Sequence, residues 1–307
     1  MNRLAVIDVG SNTVRLLVIE GTDVRNYRVL HQAQDITRLG EGLEAGKPFL
    51  PQAQERTLSV LQNFSLKAKA LGAQTIWAMG TSAMRRASNG KEFIAQVEKT
   101  CGLEFTVVSG QDEARITLQG IETALNLQGR SYLAIDIGGG STEFILTDGQ
   151  GRIQELFSLE IGAVSLTERF LKSDPPQAVE CSKLLHYVQQ ELSAHIAKFC
   201  PAILVVGTAG TITTLAAVAQ KMEKYDPKKI NNYVLSRQQI SAVLNNFINQ
   251  PLDLRRKTPG LEPKRADIII AGTVIILTIL EILQAGELIV SDAGFREGIM
   301  VELFKKV

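Results

Sequence analysis

The sequence predicts an α/β protein of two related halves with a cleft between them. Three observations carry this: short apolar strands alternate with amphipathic helices, a glycine-bearing hairpin unit occurs twice, and a polar, glycine-bearing stretch near 126–130 separates the copies. At 307 residues and 45% hydrophobic content, the chain can fill two cores of about 150 residues each. The expected domains are 1–125 and 126–307, with the last helix free to pack back on the first.

Strand patterns run over 4–8, 14–20, 24–30, 75–79, 105–108, 132–137, 143–147, 153–159, 203–206 and 287–291. Helical patterns fall between them at 52–71, 91–101, 112–125, 176–199, 210–220, 237–249, 263–284 and 295–304. The clearest is 52–71, where Leu58, Leu61, Phe64, Ala68 and Leu71 recur at three- and four-residue steps and line one face. The duplication rests on two hairpins. Leu-Ala-Val-Ile leads into Asp8-Val9-Gly10-Ser11-Asn12-Thr13-Val14-Arg15, and Leu-Ala-Ile leads into Asp136-Ile137-Gly138-Gly139-Gly140-Ser141-Thr142-Glu143. Each loop is followed by an apolar strand, a short polar turn and a third strand.

Composition excludes several classes. Cys101, Cys181 and Cys200 are odd in number and lack Cys-x-x-Cys pairing, so neither a disulfide framework nor a zinc site is indicated. His31, His186 and His195 show no metal-ligand spacing. A formal net charge of +1 announces no nucleic-acid partner. The apolar run 268–283 carries Gly272, Thr273, Thr278 and Glu281 and falls short of the roughly 20 residues of a membrane span, so it reads as a buried helix. The N-terminus enters a strand pattern without a secretory signal, and a cytoplasmic location is expected.

A carboxylate at a strand end, followed by small residues with inward-facing N–H groups, is one way to hold a phosphate and its metal ion. In the first loop, Ser11, Asn12 and Thr13 offer such contacts and Arg15 offers a bidentate charge. Taken alone, this loop reads more readily as a hairpin turn stabilised by Asp8. In the second, three consecutive glycines lose backbone entropy on folding and pack nothing, so something must approach them closely. Asp136 and Glu143 are suited to a hard cation such as Mg²⁺, beside phosphate contacts from Gly138, Gly139, Gly140, Ser141 and Thr142. A third turn, Gly207-Thr208-Ala209-Gly210-Thr211, runs from strand to helix and is open both to anion binding and to a plain connection.

Together with Gly80-Thr81-Ser82-Ala83-Met84-Arg85-Arg86-Ala87, Ser109-Gly110-Gln111-Asp112-Glu113-Ala114-Arg115 and Ser291-Asp292-Ala293-Gly294-Phe295-Arg296-Glu297-Gly298, these loops form an ordered set. The set resembles the exopolyphosphatase and guanosine pentaphosphate phosphohydrolase family. The resemblance implies a duplicated actin-like (ribonuclease H-like) fold, and a hydrolase that releases terminal orthophosphate from polyphosphate or from the guanosine pentaphosphate of the stringent response. It assigns Glu113 as the general base, Arg85 as the stabiliser of transferred charge, and Asp136 and Glu143 to Mg²⁺ or another divalent cation; Asp8, the strand-end carboxylate of the first loop, is placed with these metal ligands, and Glu143 also with catalysis. Ser11, Asn12, Thr13, Arg15, Gly207, Thr208, Gly210 and Thr211 join the phosphate contacts. Longer members carry extra C-terminal domains, so this chain reads as a short two-domain form. Two rivals stay open: an ATP-dependent kinase of the same fold, and a guanosine tetra- or pentaphosphate sensor with little turnover. Basic residues at 221–229 and 255–265 are candidates for guiding a polyanion, and a homodimer is left open.

Overall fold

The computed structural model describes every residue except Met1, Arg25, Gln128, Cys200, Pro201, Ala202 and Val307. Cys200 and one residue of the expected boundary stretch therefore lie outside the described residues. In chain order the elements are β1 (Asn2–Val9), β2 (Thr13–Asp23), β3 (Asn26–Ile36), α1 (Pro51–Ala70), β4 (Thr75–Gly80), α2 (Ser82–Arg86), α3 (Gly90–Cys101), β5 (Glu104–Val107) and α4 (Gly110–Ala124). There follow β6 (Tyr132–Ile137), β7 (Thr142–Thr147), β8 (Ile153–Leu159), α5 (Ala163–Phe170), α6 (Ala178–Ile196), β9 (Leu204–Thr208), α7 (Ala209–Ala219) and α8 (Pro227–Ile230). The chain ends with β10 (Val234–Ser236), α9 (Arg237–Ile248), α10 (Leu252–Arg255), α11 (Ile269–Ile282), β11 (Glu287–Val290) and α12 (Phe295–Lys306).

Two compact units result: Met1–Thr123 with Gly294–Val307, and Ala124–Ala293. The first holds a five-stranded sheet ordered β3-β2-β1-β4-β5, with β1 antiparallel to β2 and parallel to β4. The second repeats that order as β8-β7-β6-β9-β11 and adds β10 at the edge. Its pairings repeat too, antiparallel for β6 with β7 and parallel for β6 with β9. Both sheets are mixed and helix-flanked, a duplicated α/β architecture.

Alternation along the strands makes the cores. In the first unit, Ala5, Ile7, Val9, Val14, Leu16 and Val18 pack on one face with residues of α1 and α3. Leu4, Val6, Leu17 and Ile19 pack on the other with Ile116 of α4 and Phe295, Ile299, Met300 and Leu303 of α12. Covering both faces is what sheets with parallel strands require. The C-terminal helix, numbered with the second half by sequence, thus shares the core of the first unit. In the second unit, α11 is apolar all round and buried because it packs against α5, α6, α7 and α9. Among the described residues, no helix is long and apolar enough to cross a membrane.

The helical pattern over 263–284 resolves into two pieces. A 3₁₀ turn at Pro263–Arg265 precedes α11, since proline favours a first helical turn and Arg265 turns aside from the apolar run. The short elements α2, α5, α8, α10 and β10 are too brief to show a period.

Candidate active site

In the first unit the parallel strands β1, β4 and β5 end together, and their following loops share one edge. Asp8 lies near the end of β1 on the α4/α12 face, alternating with Val9 on the other face. Register places Arg15 directly opposite Asp8 across the hairpin. Arg15 Nη1 donates to Asp8 Oδ2 at 3.0 Å, and Asp8 is only 3% exposed. Burial pushes the Asp8 carboxyl above its ordinary range, against the opposing pull of Arg15. The loop is a tight turn closed by Gly10 N–H to Thr13 O (3.1 Å). Its carbonyls are tied from the segment after β3: Thr37 and Arg38 N–H donate to Asn12 O (both 3.0 Å), and Gly40 N–H to Ser11 O (2.8 Å). Asn12 is buried, and its Oδ1 has no hydrogen-bond partner among the described residues.

Glu113 occupies the first turn of α4, where the helix dipole favours an anion. Ser109 prepares that turn, its Oγ accepting from Asp112 N–H at 3.0 Å while its carbonyl accepts from Glu113 N–H at 2.9 Å. Glu113 is 9% exposed. Arg85, on α2 after β4, donates from Nη1 to Glu113 Oε2 (2.8 Å) and to the Val108 carbonyl (2.9 Å). Arg86 points elsewhere, to the Leu43 carbonyl at 2.8 Å. Thus a glutamate and an arginine, 28 residues apart in sequence, meet at the same strand-end edge as the Asp8 loop.

In the second unit the equivalent edge is formed by the ends of β6, β9 and β11. Here the register sets Glu143 opposite Asp136. Glu143 is 2% exposed, and its Oε1 accepts from Ser141 Oγ (2.7 Å) and Ser158 Oγ (2.8 Å). Gly138 N–H closes the turn on Ser141 O at 2.9 Å. The segment after β8 again ties the loop: Ala163 N–H donates to Gly138 O (3.0 Å), Val164 and Ser165 N–H to Gly139 O (2.9 and 3.1 Å), and Thr142 Oγ1 to Ile161 O (2.5 Å). Among the described residues no group of three or more His, Cys, Asp or Glu could hold a metal ion. A hard cation such as Mg²⁺ needs only one or two carboxylates, taking its other oxygens from phosphate and water, and Asp136 with Glu143 fits that donor chemistry.

The third turn sits on the same edge. Ala209 begins α7 with a left-handed φ of 68°, a conformation non-glycine residues adopt rarely and at functional turns. Thr208 Oγ1 donates to the Ala293 carbonyl at 3.0 Å, linking this turn to the loop after β11. A β-carbon on Gly210 would stand 2.0 Å from Nη1 of Arg265, so the guanidinium lies flat against the glycine. Gly272 is close to Thr211, whose Oγ1 and Cγ2 would both be 2.6 Å from a β-carbon there.

Sequence reasoning missed several of these neighbours. Arg265, which the sequence places in a basic stretch that could guide a polyanion, is buried, as is Arg255, which donates to Asp174 Oδ1 at 2.7 Å. The signal for Arg265 was a charge three residues ahead of the apolar run that starts at Ile268. Ser158 carries no local signal; only the β7–β8 register, which pairs it with Glu143, reveals it. Asp8, placed with the metal ligands by sequence, gives its Oδ2 to Arg15. Arg296 and Glu297 pair at 2.5 Å in the first turn of α12, and both charges act on Asp8.

Known proteins are similar to this chain over nearly its whole length. Exopolyphosphatase 2 of Mycobacterium tuberculosis is 31% identical over 99% of both chains. A guanosine-5′-triphosphate,3′-diphosphate pyrophosphatase of Vibrio cholerae is 29% identical over 97% of this chain and 59% of its own length. Among solved structures, the Aquifex aeolicus Ppx/GppA family member is 34% identical with a TM-score of 0.82, covering 99% of this chain and 98% of its own. An exopolyphosphatase from Cytophaga hutchinsonii is 27% identical with a TM-score of 0.90, covering 100% and 99%. The Ppx/GppA phosphatase family model matches residues 17–307, and the chain belongs to that family.

Proposed function

We propose that this protein is a phosphoanhydride hydrolase that releases terminal orthophosphate from inorganic polyphosphate, from guanosine pentaphosphate, or from both. The contact between Arg85 and the buried Glu113 at 2.8 Å carries the reading, because it puts a fixed proton acceptor beside a fixed cation. Family membership and the names of the relatives support the substrate class.

In this reading Glu113 accepts a proton from the attacking water as its oxygen bonds to the terminal phosphorus, and the bridging P–O bond breaks. Arg85 orients the Glu113 carboxylate and lends positive charge where the phosphoryl oxygens gain negative charge. Arg15, held by Asp8, binds phosphate oxygens, as do the backbone N–H groups of the two hairpin loops. Asp136 and Glu143 would hold a Mg²⁺ ion, which supplies charge neutralisation on the phosphate chain. We assign Asp8 to orienting Arg15, because a guanidinium at 3.0 Å opposes a second cation there.

The test is orthophosphate release from short polyphosphate, long polyphosphate and guanosine pentaphosphate by wild type and Glu113→Gln. Wild type is expected to turn over at least one of them, and the variant to lose about 10²- to 10⁴-fold in kcat. A variant as fast as wild type removes Glu113 from the mechanism. Tight guanosine pentaphosphate binding with no turnover of any chain replaces the hydrolase with a sensor.

A further inference from the structure

Where α4 and α12 cross within the first unit, their backbones touch with no side chain between them. A β-carbon on Gly120 would stand 1.9 Å from the Gly294 carbonyl oxygen and 2.9 Å from Gly298 N. One on Gly298 would stand 1.8 Å from the carbonyl oxygen of Ile116. Both obstacles are main-chain atoms, so no rotamer change can relieve them. On α4, Glu113, Ile116 and Gly120 follow at helical steps of three and four and share one face. The face that bears the proposed base is therefore the face pressed on α12.

The partner helix brings its own charges to that place. The first turn of α12 holds the Arg296–Glu297 pair, and Glu297 Oε2 accepts from Gly294 N–H at 3.0 Å. Farther along, Arg115 Nη1 donates to Glu302 Oε1 at 3.0 Å and ties the two helices a second time. Phe295, Ile299 and Ile116 lock the same seam against Leu4, Val6 and Leu17 of the sheet. Depth of α4 in this layer is thus set by two glycines.

We infer that Gly120 and Gly298 are positioning residues for Glu113: the backbone contact they permit fixes where the carboxylate stands beside Arg85 at the strand-end edge. An alanine at either site forces the helices apart by more than an ångström, and displacement of about 1 Å can cost on the order of 10²-fold in rate. This inference rests on the proposed role of Glu113 as base.

The test compares Gly120→Ala and Gly298→Ala with Leu61→Ala, a cavity variant in the core on the opposite face of the sheet. Steady-state kinetics and thermal melts are read for each. The glycine variants are expected to lose about 100-fold in kcat with KM within about threefold of wild type, while Leu61→Ala, though less stable, keeps kcat within about threefold. A folded Gly120→Ala with wild-type kcat overturns the inference, as does an equal kcat loss in Leu61→Ala. Should neither glycine variant fold, Glu302→Ala cuts the second tie without adding volume. Wild-type kcat in that variant leaves the crossing a purely structural contact and overturns the inference, while a fall of about threefold or more with unchanged KM supports it. A wild type inert on every phosphate chain defeats the functional reading alone. The crystal structure of Gly120→Ala then decides placement: a parted Arg85–Glu113 contact supports the inference, and an unmoved one overturns it.

Discussion

The two hairpin loops have the same backbone and opposite electrostatics. Gly10 and Gly138 close their turns on Thr13 O and Ser141 O at 3.1 and 2.9 Å, and in each unit the segment after the third strand returns to bond the loop carbonyls. In each, the aspartate next to last in the first strand faces a residue on the second. In the first unit that residue is Arg15, and in the second it is Glu143. The fold repeats the scaffold, and under the proposed function one cross-strand position divides the labour, since a fold carries a loop but its side chains decide the chemistry. In that reading the arginine would make the first loop a grip for anions and occupy its aspartate with orientation. The glutamate would make the second a place for a cation.

The largest expected effect would break or confirm that division. Glu143→Gln keeps an oxygen for the Ser141 and Ser158 hydroxyls, so the hairpin is expected to fold. Loss of the charge is expected to raise the Mg²⁺ concentration giving half-maximal rate by at least about tenfold and to lower kcat by about 10²-fold. Arg15→Gln is expected to leave the metal titration unchanged and to raise KM about tenfold, as loss of one charge-assisted contact to substrate should. Metal titrations that move alike in both variants would show that the loops do not divide the work by charge.

A second contrast concerns how tightly each loop is backed. A β-carbon on Gly162 would be 2.3 Å from the Gly139 carbonyl oxygen and 2.5 Å from the Gly140 carbonyl carbon, whereas one on Gly40 meets Ser11 at no less than 3.1 Å. Backbone angles at Gly162, φ −127° and ψ 160°, suit any residue, so space alone forbids a side chain there. Gly162→Ala is expected to destabilise by about 1–3 kcal/mol in urea unfolding, and Gly40→Ala by less than about 1 kcal/mol. Equal losses would mean that the triple-glycine loop is no more constrained than its counterpart.

Much of this contrast was legible in the sequence, and the illegible part has a physical pattern. The hairpins, their order and the long helices were readable because apolar periodicity is local, and Gly138 to Gly140 advertised a close approach. The meeting of Arg85 with Glu113 was carried by motif resemblance, since residues brought together by parallel strands leave no mark in spacing. Ser158, Arg265 and the Gly120–Gly298 seam were missed for the same reason. Each matters through a neighbour distant in sequence, and a glycine inside a helical pattern looks only like a weak helix former. The apolar run that became α11 was read correctly as core because Gly272, Thr273 and Thr278 interrupt it, but its start was placed early, at Pro263 rather than Ile269.

The smallest expected effect tests whether Asp8 is an ordinary ion-pair partner. Burial raises its carboxyl above the ordinary value of 3.8, and Arg15 only partly offsets this. A folded-state value above the unfolded one means that the folded protein favours the proton. The contribution to stability is fully present below pH 3.8 and is lost as pH rises through the folded value. Asp8→Asn carries no titrating group and lacks that loss, so its Tm relative to wild type is expected to climb from acid toward neutral pH. The comparison also needs Arg15→Gln: without the opposing guanidinium, Asp8 should rise further and the pH dependence should move to higher pH. If instead wild type gains on Asp8→Asn as pH rises, Arg15 dominates and the first hairpin is held by a true buried ion pair. The charge opposite Asp8 would then serve the fold as much as the phosphate, and the two loops would differ in stability as well as in the charge they receive.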